Sequence, residues 1–212
     1  NSFNSWASVG TEATYIWGAQ LENVTNQSIQ TAAEYVATTS APASKWFDTA
    51  QPTVTNLLKW SEDFSNAAWT KSAVTITANA TTAPDGSLTG DFLGEDDAPS
   101  NRYVLTTVSQ TGAYCYSVYA KQAVGSRYVQ LRPSGAGLGV AYASFDLADG
   151  SLFQSGGSGL VSTDSEYVGD GWYRVSLSLN VTGATGMVIA LIATGGELQN
   201  YTGDGTSGIY IW

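Results

Sequence analysis

The chain has 212 residues, 43% of them hydrophobic, and carries 8 basic against 18 acidic side chains, giving a net charge of −10. That balance repels a phosphate backbone, because nucleic-acid affinity rests largely on Lys and Arg neutralising phosphates; an anionic membrane surface is disfavoured for the same reason. The sequence contains no histidine, which excludes Ser-His-Asp and Cys-His catalysis and every histidine-based metal site.

In chain order, the first patterned stretch is "TEATYIWGAQ" at residues 11 to 20, and the chain closes on a similar stretch, "GTSGIYIW". Residues 14 to 22 are predicted to form a strand equivalent to the one ending at Trp212, with Tyr15 and Trp17 on one face and Ile16 on the other. "SIQTAAEYVA" (28–37) is the best helical candidate, on weak signals. The aromatic joints "KWFD" (45–48) and "NLLKWSEDF" (56–64) place Trp46, Phe47, Trp60 and Phe64 either in a satellite core under a loop or on an exposed patch.

Strand patterns dominate from there: "AVTITA" (73–78), "YCYSVYAK" (114–121), "RYVQLRP" (127–133), "GVAYASFDL" (139–147), "WYRVSLSLNV" (172–181) and "MVIALIA" (187–193). They are rich in β-branched and aromatic residues and mostly bounded by Gly, Pro, Asn or Asp. Asp149-Gly150 between two such runs marks a tight hairpin. Many short strands with Gly-rich turns predict an all-β fold, an antiparallel jelly-roll-like β-sandwich. Alternation assigns Val129, Leu131, Tyr173, Val175, Leu177, Leu179 and Ile189 to the core. The single cysteine, Cys115, excludes an intrachain disulfide and reads as a small buried hydrophobe. No apolar run reaches the ~18 residues of a spanning helix.

The opposite strand faces combine aromatics with Gln, Arg or Lys. Sugars present C–H patches to aromatic rings and hydroxyls to amide and guanidinium groups. One sheet face carrying Tyr119, Lys121, Tyr128, Gln130, Arg132 and Arg174 is therefore the candidate glycan site, against the plainer reading of cross-strand pairing on a solvated face. Glu95, Asp96, Asp97 and Asp204 lie in loop-like sequence, where a hard cation such as calcium could use their oxygens; solvated turns are the alternative. Glycoside hydrolysis needs two carboxylates facing each other across a bond, and neighbours within a turn, such as Glu62-Asp63, do not face one another. No phosphate-binding glycine loop or dinucleotide fingerprint is present, and no enzymatic activity is expected.

"NLLKWSEDFSNAAWTKSAVTITANATTAPDGS", followed by "YSVYAK", "FDLADG", "GWYRVS" and "YTGDGTSGIYIW", resembles a domain of bacteriophage structural proteins, the head-spike or tail-fibre type, which is similar in look to jelly-roll carbohydrate-binding modules. In that family the last strand continues "GAQLE", which here stands at residues 18 to 22, with "EYVATT" at 34 to 39. The resemblance implies two parts. Residues 1–52 are the C-terminal part of a preceding repeat or a strand-donating segment, and residues 53–212 are a sandwich lacking its own last segment. Aligning Trp17 with Trp212 gives a period of 212 − 17 = 195 residues. The N-terminal segment is expected to dock on a neighbouring copy or, in a permuted arrangement, to complete its own sheet, because open strand edges are covered in natural proteins. The implied role is a non-catalytic structural and adhesive unit at a virion surface or outside the cell. Its partners would be a glycan or cell-surface polysaccharide and neighbouring copies of the same subunit. A carbohydrate-binding module of a secreted polysaccharide-degrading enzyme is the alternative.

Overall fold

The computed structural model describes residues 20–23, 43–45, 54–135, 141–193 and 200–212. The helical candidate at 28–37 and Tyr15, Trp17, Trp46 and Phe47 lie outside them. The described residues form strands, turns and bends, with no helix. The strands are β1 (Gln20–Asn23), β2 (Ala43–Lys45), β3 (Val54–Asn56), β4 (Trp69–Ser72), β5 (Val74–Thr81), β6 (Gly90–Glu95), β7 (Pro99–Ser100) and β8 (Arg102–Gln122). They continue with β9 (Tyr128–Ser134), β10 (Tyr142–Phe145), β11 (Leu152–Gly156), β12 (Leu160–Gly169), β13 (Trp172–Ile192), β14 (Tyr201–Thr202) and β15 (Gly208–Ile211).

The frame is the antiparallel pair of β8 and β13, each 21 residues long, running from Trp172 opposite Lys121 to Leu191 opposite Arg102. The runs 172–181 and 187–193, read as separate strands, belong to this one element. The glycines between them make irregularities rather than a turn: the register shifts between Thr182 and Gly186, and Gly183 has φ 73. Such shifts bend a strand while keeping it paired. On one side of the bend β13 and β8 carry β12 and the β15–β6–β5 run. On the other side they carry β9–β10–β11 and β4. A single sheet thus doubles over to make both layers of an antiparallel β-sandwich. Tyr173, far from the bend in the first layer, meets the β10–β11 turn of the second so closely that a Cβ on Gly150 would collide with its ring. Gly150 stands at φ 75, the left-handed conformation its hairpin turn requires.

Between the layers lies one apolar cluster that takes Val129, Leu131 and Ile189 from the second layer and Val175, Leu177 and Leu179 from the first, all buried, with Tyr173 partly buried at its edge. Each such aliphatic side chain stabilises the fold by about 1.5–3 kcal/mol. Phe64 is buried in this same cluster, with Trp60 packed against it, rather than in a satellite core or on a surface patch. The ring of Phe64 lies 4.8 Å from that of Trp69, and Trp69 donates its indole N–H to the Trp60 carbonyl at 2.9 Å. Buried Asp91 fixes this corner by accepting the amides of Phe64 (3.1 Å) and Asn79 (3.0 Å).

The outward faces differ from expectation. They read as solvated, yet Ser117, Gln130, Ser144, Ser176 and Ser178 are buried. Gln130 donates to the Ser144 hydroxyl at 2.9 Å, as a buried amide must find a partner. Over the first layer a second small core explains the covering: Ala83, Tyr119, Trp172 and Trp212, with Trp172 donating to the Thr82 carbonyl (3.1 Å) and Trp212 to the Thr89 hydroxyl (2.9 Å). Of the predicted N-terminal strand, residues 20–22 are seen, as part of β1, and β1 pairs with β8 of its own chain. Cys115 is buried on β8 opposite Glu22.

Candidate functional site

Two groups of polar residues gather at the end of the sandwich away from the bend. The first is built on Arg102 at the start of β8, whose side chain is fully buried. Its guanidinium donates to the carbonyls of Ser100 (2.8 Å), Tyr201 (2.5 Å), Asp96 (3.2 Å) and Ala98, and to the Asp96 carboxylate at 3.0 Å. It also lies over the Tyr201 ring, 4.2 Å from its centre. Arg127, leading into β9, forks onto the Glu95 carboxylate at 2.9 and 2.7 Å and reaches Asp204 at 3.3 Å. Glu95 further accepts the Tyr201 hydroxyl (2.6 Å) and the Asp204 amide (2.9 Å). The glycines of "YTGDGTSG" serve this packing: a Cβ on Gly203 would collide with the Asp96 carbonyl and crowd Arg102, and Gly205 turns at φ 71.

Three of the four carboxylates suggested as calcium ligands are therefore gathered around two guanidinium groups. Glu95, Asp96 and Asp204 bind arginine, while exposed Asp97 lies beside Gly205. Among the described residues no group of three or more acidic, cysteine or histidine side chains is placed to hold a metal ion. The paired arginines follow a sequence signal that reading by charge overlooked: "RYV" occurs twice, at 102–104 and 127–129, at the entries to β8 and β9.

Burial alone would push Glu95 up, but the Arg127 fork, the Tyr201 hydroxyl and the Asp204 amide outweigh it and hold the carboxyl below its ordinary value of 4.5. Burial first, then Glu95, pushes the Tyr201 hydroxyl up. A carboxyl with a lowered folded value contributes stability that is complete above the ordinary value and is lost as pH falls through the folded one. Acid unfolding below about pH 4.5 should therefore be blunted in Glu95→Gln, measured by urea unfolding from pH 7 down to 3. Asp204, held low by its bonds from Ser207 and Thr206, keeps part of the acid limb, and Asp91, raised chiefly by burial, acts with the opposite sign; an acid limb unchanged in Glu95→Gln would refute the assignment.

The six candidate glycan residues do not share a face. Tyr119, Lys121 and Arg174 lie on the outer side of the first layer, and Tyr128, Gln130 and Arg132 on the outer side of the second, with the main core between them. Alternation tells inward from outward along a strand, but it does not tell which layer a strand joins. Tyr119 packs edge-on to Trp212 at 5.7 Å in the second core, and Arg174 lies 5.9 Å from its ring and donates to the Ser117 hydroxyl at 3.4 Å. Gln130 is buried, and Lys121 and Arg132 are half-buried.

Tyr128 lines an open pocket. This second polar group encloses about 150 Å³ among Gln122, Ser126, Arg127, Tyr128, Asp146 and Ala148, between the β8–β9 connection and the β10–β11 turn. Beside it the ring of Phe153, 46% exposed, packs tilted against Tyr128, 4.5 Å between ring centres and at 45°. Phe153 and Asp146 escaped the sequence reading because they come from a separate hairpin. The pocket is well below the ~300–1,000 Å³ of drug-sized sites, a size for one small ring rather than a buried oligomer. Its walls offer a carboxylate, an amide, a hydroxyl and an apolar aromatic surface. No protein-family model matches the chain, and no curated protein is similar to it in sequence.

Proposed function

We propose that the protein is a non-catalytic structural and adhesive unit of a virion surface, and that it binds a glycan at the Tyr128–Phe153 pocket. The glycan part is carried by the aromatic pair at the rim of a polar pocket: a sugar ring would lie on Phe153 and Tyr128, with its hydroxyls paired to Asp146 and Gln122. The net charge of −10 favours a neutral glycan over a polyanionic one. The virion part rests on the sequence resemblance to phage head-spike and tail-fibre domains.

In a titration with the neutral polysaccharide or oligosaccharide that scores highest on a glycan array, Phe153→Ala and Tyr128→Ala should each weaken binding about tenfold, the equivalent of ~1.4 kcal/mol of stacking. Thr77→Ala, on exposed β5, should leave it unchanged. A blank array for the wild-type protein, or wild-type affinity in both aromatic variants, rules the site out.

A further inference from the structure

One edge of β8 is served by three different strands: β4 opposite residues 103–106, β1 opposite 114–117 and β15 opposite 120–122. Beyond Ile211, Trp212 exchanges both backbone hydrogen bonds with Tyr119, at 2.9 and 3.0 Å. Gln20 then stands opposite Ser117, so that Val118 is the single β8 position between the end of one strand and the start of the next. Both strands run antiparallel to β8, and in space they read as one strand in two pieces. The place held by β1 is accordingly a notch in the sheet wall, four residues long and closed at one end by β15.

The sequence repeats that spatial order. Tyr15-Ile16-Trp17 precedes β1 in the chain, as Tyr210-Ile211-Trp212 precedes it along β8. β1 thus follows a strand of the β15 type in the same order in both places, with two residues between it and Trp17 in the chain and one β8 position between it and Trp212 in space, and every copy of the protein offers that place. Exchanging an identical element between copies keeps all its contacts, so it is a low-cost route to assembly. Reach does not forbid it. Between Asn23 and Ala43 lie 43 − 23 − 1 = 19 residues, which can span up to roughly 60 Å. A domain of this size has a radius of gyration of only about 15 Å.

We infer that β1 is an exchangeable strand whose partner is a second copy of this chain: Gln20–Asn23 of one copy fills the β8 notch of another and joins their sheets. This is independent of the glycan site. The single cysteine supplies the test, because Glu22 stands directly opposite Cys115. Residues so placed have Cβ atoms ~4.5–5.5 Å apart, which admits a disulfide after modest adjustment. Glu22→Cys protein, concentrated and then oxidised, should run on a non-reducing gel mainly as disulfide-linked dimers and larger species. Dilution before oxidation should shift it toward monomer. Disulfide confined to the monomer at every concentration overturns the exchange, and so does failure of any disulfide to form. If Glu22→Cys does not fold, Gln20→Cys with Ser117→Cys in a Cys115→Ser background tests the neighbouring pair in the same way, with the same two overturning results.

Discussion

Arg102→Ala should lower the free energy of unfolding by about 3–5 kcal/mol, the range for removing one partner of a buried ion pair. The side chain is fully buried and ties together Asp96, Ala98, Ser100 and Tyr201, which lie on two separate segments, through bonds to their carbonyls. Alanine would strand those carbonyls without donors and remove the guanidinium that stands 3.9 Å from the buried Glu95 carboxylate. Lysine should not rescue the loss, since one ammonium cannot reproduce a planar fork that donates to carbonyls on two sides and lies on the Tyr201 ring. Arg127→Ala should cost less, because its side chain is 15% exposed and water can partly replace its bonds. Urea unfolding of the three variants decides the matter. A loss below about 1 kcal/mol for Arg102→Ala would mean that the cluster is ornament on an already closed sandwich.

Trp172→Ala should cost about 3–5 kcal/mol, as expected for deleting a large buried aromatic. Trp172 is fully buried, opposes Lys121 across β13 and β8, and donates its indole N–H to Thr82 in the segment that covers the first layer. Its ring also sits against Gly90, where a Cβ would come within 3.2 Å of it. The variant should therefore loosen the 82–90 segment as well as lower stability, seen as faster amide exchange there before global unfolding. Trp172→Phe should recover most of the packing but not the bond to Thr82, and fall between the two. Wild-type stability in Trp172→Ala would show that the second core contributes little.

The inward residues were legible because a strand alternates: Val175, Leu177 and Leu179 repeat at period two, and the structure buries all three in the main core. The hairpin at Asp149-Gly150 was legible because its backbone needs a left-handed residue, and the structure puts Gly150 at φ 75, in a connection of residues 146–151 that is longer than the tight turn expected. The 182–186 region misled because the same glycines that end strands also bend them, and local sequence does not distinguish the two. The pocket was half legible. Tyr128 stood out as an aromatic among polar neighbours, whereas Phe153 and Asp146 reach it only through the β10–β11 hairpin, some 20 residues further on in sequence.

By itself the sequence determined the fold class, the inward faces of the runs around Tyr119, Val129 and Val175, and the absence of histidine chemistry. All three follow from residue type and period, which are local properties of the chain. The tertiary structure decided what no period encodes: that one sheet doubles over to make both layers, so that Tyr119 and Tyr128 stand on opposite sides of the molecule. It decided that the acidic loops meet Arg102 and Arg127, and that Phe153 packs against Tyr128. These are contacts between segments far apart in the chain. They arise from where the bend in β8 and β13 carries each strand, and burial and charge pairing then select among the side chains brought together there.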